Sequence, residues 1–221
     1  MPNAPVDRVM PPRRVIHLVR HGESEANVAA IFDSGSIDAP LTDRGREQAR
    51  RVGRWARGLG LTRIYTSPLR RARETADAVA ALTLVPVVVE PLLAETRMGR
   101  WDGRRIREVV AEDGDAYRAW HEDPGTNPPP GGESMADLAA RMQAALMRMA
   151  QATPAPFTLL AVSHGDPILA LLLAAMAAPS HASSRVAVPN TVRLTLALDE
   201  AGRPALEAFG PVESTGGLAP A

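Results

Sequence analysis

The chain has 221 residues, 25 basic against 25 acidic side chains and 45% hydrophobic residues, an ordinary balance for one globular domain with a substantial core. Zero net charge excludes a global field that recruits nucleic acid or an anionic membrane surface. Cysteine and lysine are both absent, so disulfides, thiolate zinc sites, cysteine nucleophiles, Walker-type lysines and Schiff bases are excluded as well.

Residues 1–12 hold prolines and charges but no apolar run resembling a signal peptide. The longest apolar stretch, residues 168–178, is far too short to span a bilayer, so a soluble cytoplasmic protein is expected. Residues 15–19 read as a strand buried on both faces, followed by a polar, glycine-containing stretch to Pro40. Thr42 can cap a helix over 43–57, stopped by Leu59-Gly60. Residues 64–66 form a second strand. Ser67-Pro68 then has the cap-then-proline form of a helix start, with the helix running to about Leu82.

Residues 86–89 are a third strand, and short helices are expected near 104–111 and 115–121. The loop 123–132, with four prolines and three glycines, should wrap over the surface. A long helix follows over 133–150, then a strand over 157–162, and Asp166-Pro167 repeats the cap-then-proline signal before an apolar helix. Residues 192–198 alternate cleanly and can pair with 205–209 as a hairpin. Strands alternating with helices predict a three-layer α/β/α sandwich with a mainly parallel sheet and one antiparallel edge strand. One domain over 13–210 is expected, with flexible ends at 1–12 and 211–221.

Three strand-to-helix junctions share one design: Arg20-His21-Gly22-Glu23-Ser24, Ser67-Pro68-Leu69-Arg70-Arg71 and Ser163-His164-Gly165-Asp166. In a parallel sheet all three lie at the carboxyl edge of the strands, where ligands bind. Two histidines, arginines and helix N-terminal amides at one edge favour a phosphate. Glycine after each histidine would let backbone approach it closely. A lone histidine at a strand end is ordinarily structural; two His-Gly pairs in matching positions argue otherwise. His17 reads as core, and His121 and His181 as surface. Arg70 and Arg73 read as a solvated helix face paired with Glu74. Asp113-Gly114-Asp115 follows a helical pattern and is set aside as a catalytic aspartate pair. No metal-ligand spacing is present.

These blocks, with Asn27, Pro40-Leu41-Thr42, Leu93-x-Glu95 and Pro130-Gly131-Gly132-Glu133-Ser134, resemble the histidine phosphatase (phosphoglycerate mutase-like) superfamily. The resemblance runs from Val15 to Leu198. It implies that His21 is a nucleophile forming a phosphohistidine. Arg20, Arg71 and His164 would hold the phosphoryl oxygens, and Glu95 would protonate the leaving alcohol. Ser24, Asn27 and Gly165 would contact substrate, and neither metal nor cofactor would be needed.

A nucleophilic imidazole must be neutral, and nearby guanidiniums should lower the pKa of His21. His164 would be biased toward protonation by a dianion. Glu95 needs a raised pKa, from a desolvated site beside phosphate, to act near neutral pH. The stretch 28–36 carries an acid, Asp33, where the family often has an arginine, and residues 103–130 are short compared with the insert of family mutases. Both points favour a phosphatase acting on a small phosphorylated metabolite. The alternatives are a mutase-type isomerase, a non-catalytic phospholigand module and a phosphoprotein phosphatase. A homodimer is a possible partner arrangement.

Overall fold

The structure, a computed structural model, describes residues 13–212, the side chains of Ser184 and Arg185 excepted. The flexible ends expected at 1–12 and 211–221 lie outside these residues, apart from Pro211 and Val212. Six strands are present: β1 (Arg14–Arg20), β2 (Arg63–Thr66), β3 (Val87–Val89), β4 (Phe157–Ser163), β5 (Val192–Leu198) and β6 (Pro204–Pro211). They form one sheet in the order β3-β2-β4-β1-β5-β6. The first four are parallel. β5 runs antiparallel to β1 and β6 antiparallel to β5, so the expected antiparallel edge is a two-strand hairpin.

The helices are α1 (Glu25–Val28), α2 (Asp43–Ala56), α3 (Arg70–Thr83), α4 (Ile106–Glu112), α5 (Gly114–Glu122), α6 (Met135–Gln151) and α7 (Gly165–Ala175). Strand alternation assigns them to two layers. Val19, Leu160 and Val162 face one way and pack with Val52 and Trp55 of α2 and Ala76 and Val79 of α3. Ile16, Leu18, Leu159 and Ala161 face the other way, onto α6 and α7. Leu171, Leu172 and Leu173 of α7 are all buried there, each contributing roughly 1.5–3 kcal/mol. His17 is core, as expected: its Nδ1 lies 3.0 Å from the Thr195 hydroxyl and its ring stands edge-on to Trp55. A third apolar cluster, Phe32, Met98, Trp101 and Val109 with Tyr117 and Trp120, holds α4 and α5 as a cover beside the sheet edge. No helix among the described residues is long and apolar enough to cross a membrane.

Thr42 caps α2 as expected, accepting from the Gly45 amide at 2.9 Å. Three other helix starts are displaced from their expected positions. α3 begins at Arg70, with Leu69 as an N-cap lacking a side-chain bond, because the Ser67 hydroxyl accepts from the Leu69 amide and also meets His164. α7 opens at Gly165 with His164 as N-cap, which moves Asp166 into the first turn. α6 opens at Met135 under a Ser134 cap, since the Glu133 carboxylate is buried against Arg141.

Candidate active site

The three junctions meet because the ladder continues past the strand ends. The His21 amide donates to the Ser163 carbonyl at 3.0 Å, and the Ser67 amide to the Val162 carbonyl at 2.9 Å. This brings the ends of β1, β4 and β2 side by side. The expected role of Gly22 is corrected by what packs there. A Cβ on Gly22 would lie 2.4 Å from the Gly45 carbonyl oxygen, so Gly22 admits α2 rather than a ligand. Gly165 backs onto the Arg20 guanidinium, 3.6 Å from where its Cβ would stand. Free helix amides are scarcer than expected: Asp38 takes the Arg70 amide at 2.6 Å, and Ser24 and Asn27 close a capping box on α1.

Arg20, His21, Asn27, Arg71 and Glu95 line one cavity of about 260 Å³, together with Asp33, Phe32, Trp120 and Asp166. The His21 ring is buried, and its hydrogen bonds assign the tautomer. Nδ1–H donates to the Gly22 carbonyl at 2.6 Å, while Nε2 accepts from Arg71 Nε at 3.1 Å. The electron pair is therefore on Nε2, where the Arg71 N–H holds it and must let go for Nε2 to act as a nucleophile. Burial first, then the charges of Arg71 and Arg20, push the His21 pKa well below its usual value. The arginines act in the expected direction, but desolvation is the larger cause.

His164 is wholly buried, with its ring centroid 5.0 Å from that of His21. Its Nε2 lies 2.7 Å from the Ser67 hydroxyl. Burial and then Arg71 push its pKa well below the usual value too, so the protein's own groups favour the neutral form, and protonation would have to come from the expected dianion. His164 Nδ1 and Arg20 Nε have no hydrogen-bond partner among the described residues. Arg63 Nε and Arg193 Nε are likewise buried without a partner, so what distinguishes these two nitrogens is their place beside His21.

Glu95 follows a 3₁₀ turn, Pro91–Leu93, and its Oε1 accepts from the Thr96 amide at 2.9 Å. Its pKa is pushed up to about 7, by burial first and then by the charge of Asp166. The expected rise is present, and its second cause is a protein carboxylate.

Of the expected substrate contacts, Asn27 lines the cavity, while its Oδ1 accepts from the Ser24 amide at 3.1 Å and from Asn190 Nδ2 at 3.2 Å. Ser24 does not reach it: it is fully buried, and its hydroxyl accepts from the Asn27 amide as a helix cap. Arg70 pairs with Glu74 at 2.7 Å as expected, whereas Arg73 turns to Asp38 at 3.6 Å. Asp113 accepts from the Trp101 indole at 3.0 Å, away from any carboxylate pair. Four contributors have no catalytic or binding role by the sequence alone: Asp33, Ser67 and Asp166, the last two expected only as caps, and Asn190, whose Nδ2 also donates to the His21 carbonyl at 3.0 Å. Of these, Asp33 alone stood out in the pattern, as an acid where a base is common.

A sequence model described as the histidine phosphatase superfamily (branch 1) matches residues 16–210. The protein of Photorhabdus laumondii named probable phosphoglycerate mutase GpmB is 36% identical over 179 residues, covering 79% of this chain and 80% of that one. Among solved structures, Bacillus stearothermophilus YhfR superposes with a TM-score of 0.84 at 28% identity, covering 91% of this chain and 98% of that one. The mycobacterial glucosyl-3-phosphoglycerate phosphatase gives 0.79 at 28% identity, covering 90% and 99%. The α-ribazole phosphatase of Shigella flexneri gives 0.76 at 26%, covering 90% and 96%. With its converging junctions and this breadth of likeness, the chain belongs to branch 1 of the histidine phosphatase superfamily.

Proposed function

We propose that this chain is a phosphomonoester hydrolase that carries the phosphoryl group on His21 and needs no metal. The observation that carries the reading is the cup itself: a neutral imidazole with its Nε2 electron pair on the side of two guanidiniums, beside buried nitrogens that lack acceptors. A phosphoryl group supplies those acceptors, and arginine matches its oxygens two at a time.

In the first half-reaction Nε2 of His21 attacks phosphorus and the phosphorus–oxygen ester bond breaks. Glu95 gives its proton to the departing oxygen, releasing the alcohol. In the second, the Glu95 carboxylate takes a proton from water. That oxygen attacks phosphorus, the phosphorus–nitrogen bond breaks, and inorganic phosphate leaves with His21 restored. Arg20 and Arg71 offset the charge on the equatorial oxygens, a task that metal ions perform in other phosphoryl-transfer sites.

His21→Ala should lower turnover of an aryl phosphate by roughly a thousandfold or more. Wild-type protein quenched during turnover should yield acid-labile, base-stable phosphoprotein, and EDTA should leave the rate unchanged. Normal activity in the alanine variant would end the reading.

The names of the curated relatives support a second reading, transfer between positions of one phosphoglycerate. Among the described residues the cavity wall supplies only Arg20 and Arg71 as guanidiniums, and Asp33 already neutralises Arg71. A bisphosphate needs more cations than that, which favours hydrolysis of a singly phosphorylated small metabolite. Incubating labelled 3-phosphoglycerate with a bisphosphate primer separates the two: a mutase conserves the label in isomer, a hydrolase releases it as phosphate.

A further inference from the structure

Besides Glu95 the cavity wall carries two carboxyls: Asp33 is paired with Arg71, and Asp166 has no part in the reaction above. Asp166 lines it from the first turn of α7, as Glu95 does from the loop after β3. The two segments are pinned together: Ser163, at the end of β4 and three residues before Asp166, donates its hydroxyl to the Leu93 carbonyl at 2.8 Å, two residues before Glu95. Arg20 lines the same cavity, within reach of both charges and backed by Gly165. Arg71 faces Glu95 from α3, and Arg141 of α6 donates to the Glu95 carbonyl at 3.3 Å. His21 and His164, both neutral, complete the surroundings.

Two neighbouring carboxyls in one desolvated pocket do not both ionise readily, so the pair retains a proton near neutral pH. The site of that proton follows from the two environments. Burial pushes the Asp166 carboxyl up as well, but the Arg20 guanidinium and the positive end of the α7 dipole favour its anion. Glu95 is opposed by burial and by Asp166 itself, with the arginines pulling the other way. Remove the Asp166 charge and the arginines would draw Glu95 back toward the ordinary carboxylate range, leaving it ionised when the alcohol has to depart.

We propose that Asp166 is a positioning residue of the reaction, an anion seated beside Arg20 that keeps the acid proton on Glu95. The inference rests on Glu95 being the acid of the proposed hydrolysis, yet it can be read without turnover. Asp166→Asn keeps size and shape while deleting the charge.

In carboxyl-labelled protein, the NMR titration of Glu95 should move down by about one pH unit in Asp166→Asn, and Asp166→Glu should restore it. In turnover, the alkaline limb of kcat for an alkyl phosphate should move down by a similar amount. At pH 7.5 the alkyl phosphate should lose about tenfold more than nitrophenyl phosphate, whose leaving group departs without a proton. An unmoved Glu95 titration in a folded Asp166→Asn protein overturns the proposal, even if Tm or activity falls. So does a Glu95→Gln protein that still turns over alkyl phosphates while Asp166→Asn does not, because Asp166 would then be the donor. A Glu95 titration that shifts as expected in a protein forming no phosphohistidine upholds the carboxyl pair and overturns the hydrolytic mechanism instead.

Discussion

Arg71 commits three of its donors to the protein: Nε to His21, Nη1 to the Asp33 carboxylate at 3.0 Å and Nη2 to the Asp33 carbonyl at 2.7 Å. A guanidinium has five, so two remain for phosphate. Asp33 in turn accepts from the amides of Gly35, Asp38 and Ala39 at 3.0–3.2 Å, which folds the loop around the carboxylate. The acid that seemed to weaken anion binding is therefore the clamp that aims an arginine at the anion. Breaking such a buried pair leaves a charge uncompensated, a loss of about 3 kcal/mol or more. Asp33→Asn should lower Tm accordingly and reduce kcat/KM of the protein that remains folded by about tenfold, through misplacement of Arg71. Stopped assays at a temperature well below the variant's Tm check this. An unchanged kcat/KM there would reduce Asp33 to a structural role.

At the scale of elements, the acid loop is fastened by a helix on the far side of the sheet edge. Arg141 of α6 donates to the carbonyls of Leu92 and Ala94 at 2.6 and 2.9 Å, besides that of Glu95, while Glu133 grips the same guanidinium at 2.8 and 2.9 Å. Arg141→Met should keep the stem packed and free the loop. The expected result is a kcat loss of about tenfold on alkyl phosphates, clearly larger than on nitrophenyl phosphate, whose leaving group does not need the loop's carboxyl. Equal losses on both substrates would mean that Arg141 does not act through Glu95. The same contacts explain where the sequence misleads. Apolar runs and caps locate every strand and the start of α2, because those signals are local. The three displaced helix starts each carry a residue of good capping or first-turn type with a neighbour from another part of the chain: Ser67 with His164, Asp166 with Glu95 across the cavity, Glu133 with Arg97. Where local preference and a tertiary role compete, the tertiary partner prevails, and these are the places where the site is built. Ser24 is the converse, a motif residue whose function is to cap.

The whole molecule carries an acid liability set by its site. His17, His21 and His164 are all buried, and burial is the first cause that keeps each imidazole neutral; the His17 pKa falls to about 4. The unfolded chain takes up these protons near pH 6.5, while the native one does not. Stability is therefore present above pH 6.5 and is lost as pH falls toward the native values. Glu95 has the opposite sign. Its native pKa of about 7 lies above its unfolded value, so it contributes stability at low pH that is lost as pH rises to 7. Three imidazoles against one carboxyl leave about two protons in excess on the unfolded chain, so stability falls as pH drops from about 6 to 5. Urea unfolding at pH 7, 6 and 5 should show that decline. His17→Gln, which removes one imidazole remote from the cup, should make it shallower by about one half. A free energy of unfolding constant from pH 7 to 5 would show that the native histidines take up protons despite their burial. The proposed acid works only while Glu95 is protonated, below about pH 7, and the fold weakens below about pH 6. The two requirements leave an interval of roughly one pH unit in which a stable protein also holds a protonated acid, and the pH optimum on alkyl phosphates should fall inside it.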